Sequence, residues 1–251
     1  MTNWQSPAEL IEHGLSHSRL VLMNEAHDGY RRCVRTREVG RGILPVAHGL
    51  GVRHLGMEAL HPRIAAQANA ARELPAGLGA YLGQAEMRAL VNAALDLGWT
   101  LHAYEADFAA SPHPEGPEDN AAINWREDQQ ARNLAAVMQG LPASARVMGW
   151  CGNGHLTRRA LTIACDGETR TWTPMGSLVE CYCDVGPFSI DQAVSVAFDG
   201  REHDWLGSFA ELLGRHGGTA GFLADETPHD LAWLSGRADA YLLSLDNELV
   251  E

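Results

Sequence analysis

Arg19-Leu20-Val21-Leu22-Met23, followed at once by Asn24-Glu25-Ala26-His27, is the stretch on which the fold turns. A short apolar run that gives way abruptly to polar residues reads as a buried strand and its end. The same order recurs outward along the chain. His54-Leu55-Gly56-Met57 leads into Glu58, Trp99-Thr100-Leu101-His102-Ala103-Tyr104 leads into Glu105, and Ala145-Arg146-Val147-Met148-Gly149-Trp150 precedes Cys151-Gly152-Asn153-Gly154-His155. Helices are expected between them. One starts at Ser6-Pro7-Ala8-Glu9, where Ser6 caps, Pro7 takes the first helical position and Glu9 closes a capping box. Others are predicted over 30–49, over 84–97 and from Asn124, with Glu127 as its capping-box partner, to Gly140. Strands alternating with helices predict an α/β fold with a mostly parallel central sheet flanked by helices.

Beyond this block the pattern loosens. Segments 170–183 and 190–198 each read as a strand, 203–214 and 228–236 as helices, and 239–245 as a short terminal element. The polar, Pro- and Gly-rich loop at 109–123 is expected on the surface, long enough to act as a lid or substrate-binding loop. No shift of composition divides the chain, so residues 1–251 are read as one domain.

A formal charge of −13 opposes phosphate backbones, so nucleic acid is not an expected partner. Arg31, Arg32, Arg35 and Arg37 form either a partly solvated helix face or a steering patch for an anionic or polar substrate. The amino-terminal segment has no basic region followed by an apolar run, and no apolar stretch approaches membrane-spanning length. A cytoplasmic protein without a membrane partner is expected. The cysteines, odd in number, are expected to be free thiols, and Cys181-Tyr182-Cys183 has no second pair with which to build a zinc site.

The polar residues fall where chemistry is expected, because ligands of open parallel sheets bind outside the carboxyl ends of the strands. Glu25 and His27 are two apart and share a side on extended backbone, an arrangement that suits a general base. Glu58 and Glu105 either share a buried site, where repulsion or desolvation raises a pKa, or neutralise Arg126. Arg126, read as lying in a first helical turn, calls for a carboxylate or anionic ligand. Gly152-Asn153-Gly154-His155 places a histidine behind a flexible turn. Cys151 beside it is read as an inert thiol, with a nucleophile paired to His27 or His155 as the alternative.

At these residues the chain resembles the erythromycin-esterase-like and ChaN/Tiki-like (TraB-related) superfamily. The resemblance rests on Glu25-Ala26-His27, the strand ending at Glu58, Asn124-Trp125-Arg126-Glu127 with Ala131-Arg132-Asn133, Gly152-Asn153-Gly154-His155, and Pro174 to Leu178 with Gly186. It implies a ChaN/erythromycin-esterase-like architecture. It also implies an acid–base centre in which His27 activates water, Glu25 orients it, Arg126 or His155 stabilises an oxyanion, and Glu58 and Glu105 organise the site. The Tiki-like branch implies instead a divalent metal held by histidines and carboxylates, although Asn24 stands where that motif has glycine. The ChaN-like branch includes haem binders, for which Tyr30 and Tyr104 are the conceivable ligands.

The expected function is a hydrolase that needs no metal or other cofactor and acts on an ester, lactone or amide in a small molecule or modified peptide. The alternatives are a divalent-metal-dependent peptidase, a biosynthetic cyclase or lyase, and a noncatalytic small-molecule-binding protein. Oligomeric state is left open.

Overall fold

The computed structural model describes residues 2–25, 30–113, 120–165, 168–196 and 206–245. The first helix, α1 (Pro7–His17), starts as its sequence dictates. The Ser6 hydroxyl accepts from the Glu9 N–H, and the Glu9 carboxylate accepts from the Ser6 N–H. It delivers the chain to β1 (Leu20–Glu25), which is buried along its whole length. There follow α2 (Tyr30–Gly49), β2 (Val52–Met57), α3 (Pro62–Ala71), α4 (Ala85–Asp96), β3 (Thr100–Ala103), α5 (Asn120–Gly140) and β4 (Arg146–Gly152). The later elements are β5 (Leu161–Cys165), β6 (Glu168–Trp172), α6 (Met175–Tyr182), β7 (Phe188–Val196), α7 (Leu206–Arg215), β8 (Thr219–Leu223) and β9 (Ala240–Leu245).

The main sheet runs β3-β2-β4-β1-β7-β9-β8, and every neighbouring pair is parallel except β8 with β9. This is the α/β sheet that the alternating pattern predicted. Successive side chains of β1 enter opposite layers. Val21 and Met23 join α1 to α4 in one apolar core, while Leu20 and Leu22 join α5 to α7 in the other. With both faces covered, the strand has no polar side, which is why it reads as an unbroken apolar run. Among the described residues no helix is long and apolar enough to cross a membrane.

Several expectations need correction. Segment 170–183 is not one strand: β6 ends at Trp172 and α6 begins at Met175. The β6 strand pairs antiparallel with β5 in a separate hairpin. Segment 228–236 forms a 3-10 turn over His229–Leu234 rather than a helix. Helix α3 and strands β5 and β8 have no counterpart among the expected elements. Helix α5 begins at Asn120, one turn before the expected cap. The Asn124 side chain instead ties down the β6 end, accepting from the Thr173 N–H and donating to the Thr171 carbonyl.

Candidate active site

Three strand ends converge around Arg126. The ladder continues past β2, because the Glu58 N–H donates to the Trp150 carbonyl at 3.1 Å. This brings the Glu58 carboxylate onto the end of β4, where Oε2 accepts the Gly152 N–H at 2.5 Å. Ala59 then turns the chain sharply with φ of 57°, a left-handed conformation uncommon for a residue with a Cβ. The turn aims the Ala59 N–H at Glu105 Oε2, 3.2 Å away.

Arg126 bridges the two carboxylates. Its Nη2 donates to Glu58 Oε1 at 2.5 Å and to Glu105 Oε2 at 2.7 Å, and its Nε donates to Glu105 Oε1 at 3.0 Å. Gln130, one turn further along α5, donates to Glu105 Oε1 at 2.9 Å. Burial by itself raises the Glu105 pKa. The Arg126 charge and hydrogen bonds, with those from Ala106 and Gln130, outweigh it and hold the carboxyl below its ordinary value. Burial likewise opposes the Arg126 charge, but Glu105 and Glu58 hold its pKa above the ordinary value. Of the alternatives open for Glu58 and Glu105, the neutralising one holds. The dipole argument for Arg126 does not, since the longer α5 puts it past the first turn.

His155 completes the group. It sits on the 3-10 turn Asn153–Leu156 that follows β4. Its Nε2 lies 3.4 Å from Glu58 Oε1, and its Nδ1 lies 2.7 Å from Glu127 Oε1, close but poorly aligned for a hydrogen bond. Burial lowers the imidazole pKa and Arg126 opposes the positive charge. Glu58 and Glu127 outweigh both, so the pKa is raised. The turn is packed tightly: a Cβ on Gly154 would stand 2.6 Å from the Trp172 ring.

Glu127 is the residue that sequence reasoning misplaced. Far from capping a helix, it is wholly buried, and besides His155 it accepts from Trp172 Nε1 at 2.7 Å and from the Met175 N–H at 2.6 Å. One carboxylate therefore fixes the histidine, the end of the hairpin and the start of α6. Its signal lay in helical spacing, since Glu127 precedes by three the Gln130 that joins Arg126 on Glu105.

Glu25 has different company. Arg37 grips it with two hydrogen bonds, Nε to Oε2 at 2.7 Å and Nη2 to Oε1 at 2.8 Å. Trp150 Nε1 adds a third at 3.1 Å. Arg37 also donates to Gln84 Oε1 and lies 5.3 Å from the Tyr81 ring centre. At 1% exposure Arg37 belongs to no solvated face, so both readings of the arginine run fail for this member. His27 lies outside the described residues, as does the Tyr30 side chain; Tyr104 is buried and its hydroxyl donates to the Trp150 carbonyl at 2.6 Å.

The described residues contain no group of three or more His, Cys, Asp or Glu side chains fit to hold a metal ion. The donor chemistry accords with this: both Glu58 oxygens and both Glu105 oxygens already accept from nitrogen donors. The Cys151 thiol is fully buried and donates to the Met23 carbonyl at 3.5 Å. Burial and the surrounding carboxylates push its pKa well up.

No protein-family model and no curated protein matches the chain. Its fold is similar to solved bacterial toxin effectors at low identity. The type III effector HopBA1 aligns over 98% of both chains at 13% identity, with a TM-score of 0.49. RRSP, a MARTX toxin effector domain from Vibrio vulnificus CMCP6, covers 74% of this chain at 16% identity, with a TM-score of 0.47. The C-terminal region of Pasteurella multocida toxin, described as having a thiol-protease-like catalytic triad, covers 69% at 12% identity, with a TM-score of 0.45. The chain spans 36% of the RRSP structure and 27% of the Pasteurella toxin structure.

These neighbours correct the resemblance drawn from the sequence. They are bacterial toxin effector domains, not members of the erythromycin-esterase-like and ChaN/Tiki-like superfamily. The motifs behind that resemblance are short, and polar residues at strand ends recur in any parallel sheet that binds at its carboxyl edge.

Proposed function

We propose that the chain is a metal-independent hydrolase of an ester, lactone or amide, with His155 and Arg126 at the reacting carbonyl. The observation that carries this reading is the seating of His155 between Glu58 and Glu127, beside an arginine with an uncommitted nitrogen. Arg126 spends Nε and Nη2 on carboxylates, whereas Nη1 has no hydrogen-bond partner among the described residues, and 27% of the side chain is exposed. Nη1 is thus the donor free to meet an oxyanion.

His155 supplies the proton. Its raised pKa favours the imidazolium, and Glu127 holds the ring while Glu58 faces Nε2. Water adds to the carbonyl carbon, Arg126 Nη1 takes the developing negative charge, and the leaving group departs with the His155 proton. The proton lost by water goes to His27, assigned on sequence alone. Glu25 acts through the backbone, anchoring the end of β1 by its bonds to Arg37 and Trp150. Glu105 holds Arg126 in place. A cysteine nucleophile of the kind described for Pasteurella multocida toxin is disfavoured at Cys151, whose buried thiol resists ionisation.

The test is a panel of chromogenic esters, lactones and amides, assayed before and after exhaustive chelation. Hydrolysis that survives chelation is expected, with His155→Gln lowering kcat by about 10²–10⁴ and Arg126→Lys by about 10²–10³. His27→Ala should abolish most of the turnover. Activity lost to chelator and restored by a divalent ion would overturn the metal-independent assignment. Full activity in His155→Gln would remove the proposed acid.

A further inference from the structure

Among the described residues, Val46, Phe108, Ile123 and Trp233 are the exposed large hydrophobic side chains. Isolated exposed apolar residues need no explanation. One of these, Phe108, lies beside the Arg126 guanidinium, and another, Ile123, shares a helix face with Arg126. The Phe108 ring centre lies 5.7 Å from Arg126 Cζ, and Phe108 remains 56% exposed. Ile123 precedes Arg126 by three on α5, which places it on the same helix face one turn nearer the amino end. Phe108 is held in a defined position, because the Asp107 carboxylate accepts the Ala109 N–H at 3.1 Å and caps the short turn Phe108–Ala110.

We infer that Phe108 and Ile123 form a specificity subsite for an aromatic group carried next to the substrate's reacting carbonyl. The inference rests on the hydrolytic reading above, which assigns Arg126 Nη1 to the carbonyl oxygen. The Phe108 ring lies 5.7 Å from the carbon of the guanidinium that would hold the carbonyl oxygen, and Ile123 lies one turn away on the same helix face, so the substituent is placed beside them. An apolar ring there loses contact with water on two sides and stacks against an aromatic face. A small acyl group such as acetyl reaches neither side chain. The subsite therefore selects arylacyl or aralkyl substrates over short-chain ones, and it does so without touching the proton-transfer groups.

Binding separates this inference from the reaction. Benzylphosphonate and methylphosphonate carry the same tetrahedral anionic head and differ in the ring alone. Calorimetric titration of the full chain should show benzylphosphonate binding about tenfold tighter, the scale of one good aromatic contact. Phe108→Ala should reduce that preference to less than threefold, Phe108→Trp should retain it, and Ile123→Ser should weaken it. Equal affinity for the two probes, failure to bind either, or a preference that survives Phe108→Ala would overturn the subsite. A Phe108-dependent preference in a protein that hydrolyses nothing would instead sink the hydrolase reading and leave the subsite standing. Hydrolysis with no preference for aryl esters would do the reverse.

Discussion

Replacing Glu25 with Gln tests the buried ion pair that anchors the end of β1. The substitution keeps the side-chain volume and removes the charge, while Arg37 stays at 1% exposure with its Nε and Nη2 aimed at the lost carboxylate. Trp150 Nε1, bonded to the same oxygen as Arg37 Nε, has to share a neutral amide oxygen instead. Breaking a buried pair by removing one partner costs about 3–5 kcal/mol, because the remaining charge loses its bidentate counter-ion in a site closed to water. For a chain of this length that corresponds to a fall in Tm of about 6–20 °C. Urea denaturation followed by far-UV circular dichroism should show Cm falling at unchanged m. Arg37→Met should be similarly costly. The double variant Glu25→Gln/Arg37→Met should lose much less than the sum, since it removes both halves of one interaction together. A loss below about 1 kcal/mol for Glu25→Gln, or simple additivity in the double variant, would refute the claim that these two residues stabilise each other.

Stability should vary with pH at both ends of the site. The His155 pKa is raised in the folded state, so its contribution is full below the unfolded value of 6.5 and is lost as pH rises through the folded pKa. His155→Gln should flatten the decline in stability on the alkaline side of 6.5, measured by denaturation at stepped pH. Glu105 has the opposite sign: its lowered pKa gives stability above 4.5 that is lost on acidification, and Glu105→Gln should remove that acid limb. The His102 ring, with Nε2 3.1 Å from Nδ1 of His54, should stay neutral at pH 6 in NMR titration. Burial pushes the His102 pKa down to about 4, with His54 adding to it; a charged His102 at pH 6 would contradict the close pair. Finally, Ala59→Gly should relieve the left-handed backbone after Glu58 and raise stability by about 0.5–1 kcal/mol, read from Cm. A destabilised Ala59→Gly would mean that the turn is not strained.

The part of the site that could be read from sequence is the part set by strand ends. Glu58, Glu105 and His155 follow apolar runs whose burial fixes where each strand stops, and a parallel sheet then collects those ends at one edge. Arg126 was legible as a cation in need of carboxylates, although the reason offered, a helix dipole, does not apply once α5 starts at Asn120. Arg37 was hidden because its partner sits on a different element, and nothing in the local pattern of α2 tells a buried bidentate arginine from a solvated one. The β5–β6 hairpin and α6 were hidden for another reason. Among the described residues the first pairs only with itself, and the second begins at Met175 after a Pro174 that offers no side-chain cap to announce it.

Glu127 joins these two failures, and its placement explains why they occurred together. The carboxylate that holds His155 also accepts from Trp172 at the end of the hairpin and from the Met175 N–H at the start of α6. A Cβ on Gly176, one residue further, would collide with the Leu156 backbone just after the histidine. The hairpin and α6 are thus packed around the turn that carries His155, and their ends are set by tertiary contacts rather than by local propensity. Local signals fail at positions where a distant charge decides the geometry, and those positions are expected to cluster at functional sites. The breakdown of the helix and strand pattern between 153 and 183 is therefore itself a consequence of packing β6 and α6 around a His155 seated between Glu127 and Glu58 at the sheet's carboxyl edge.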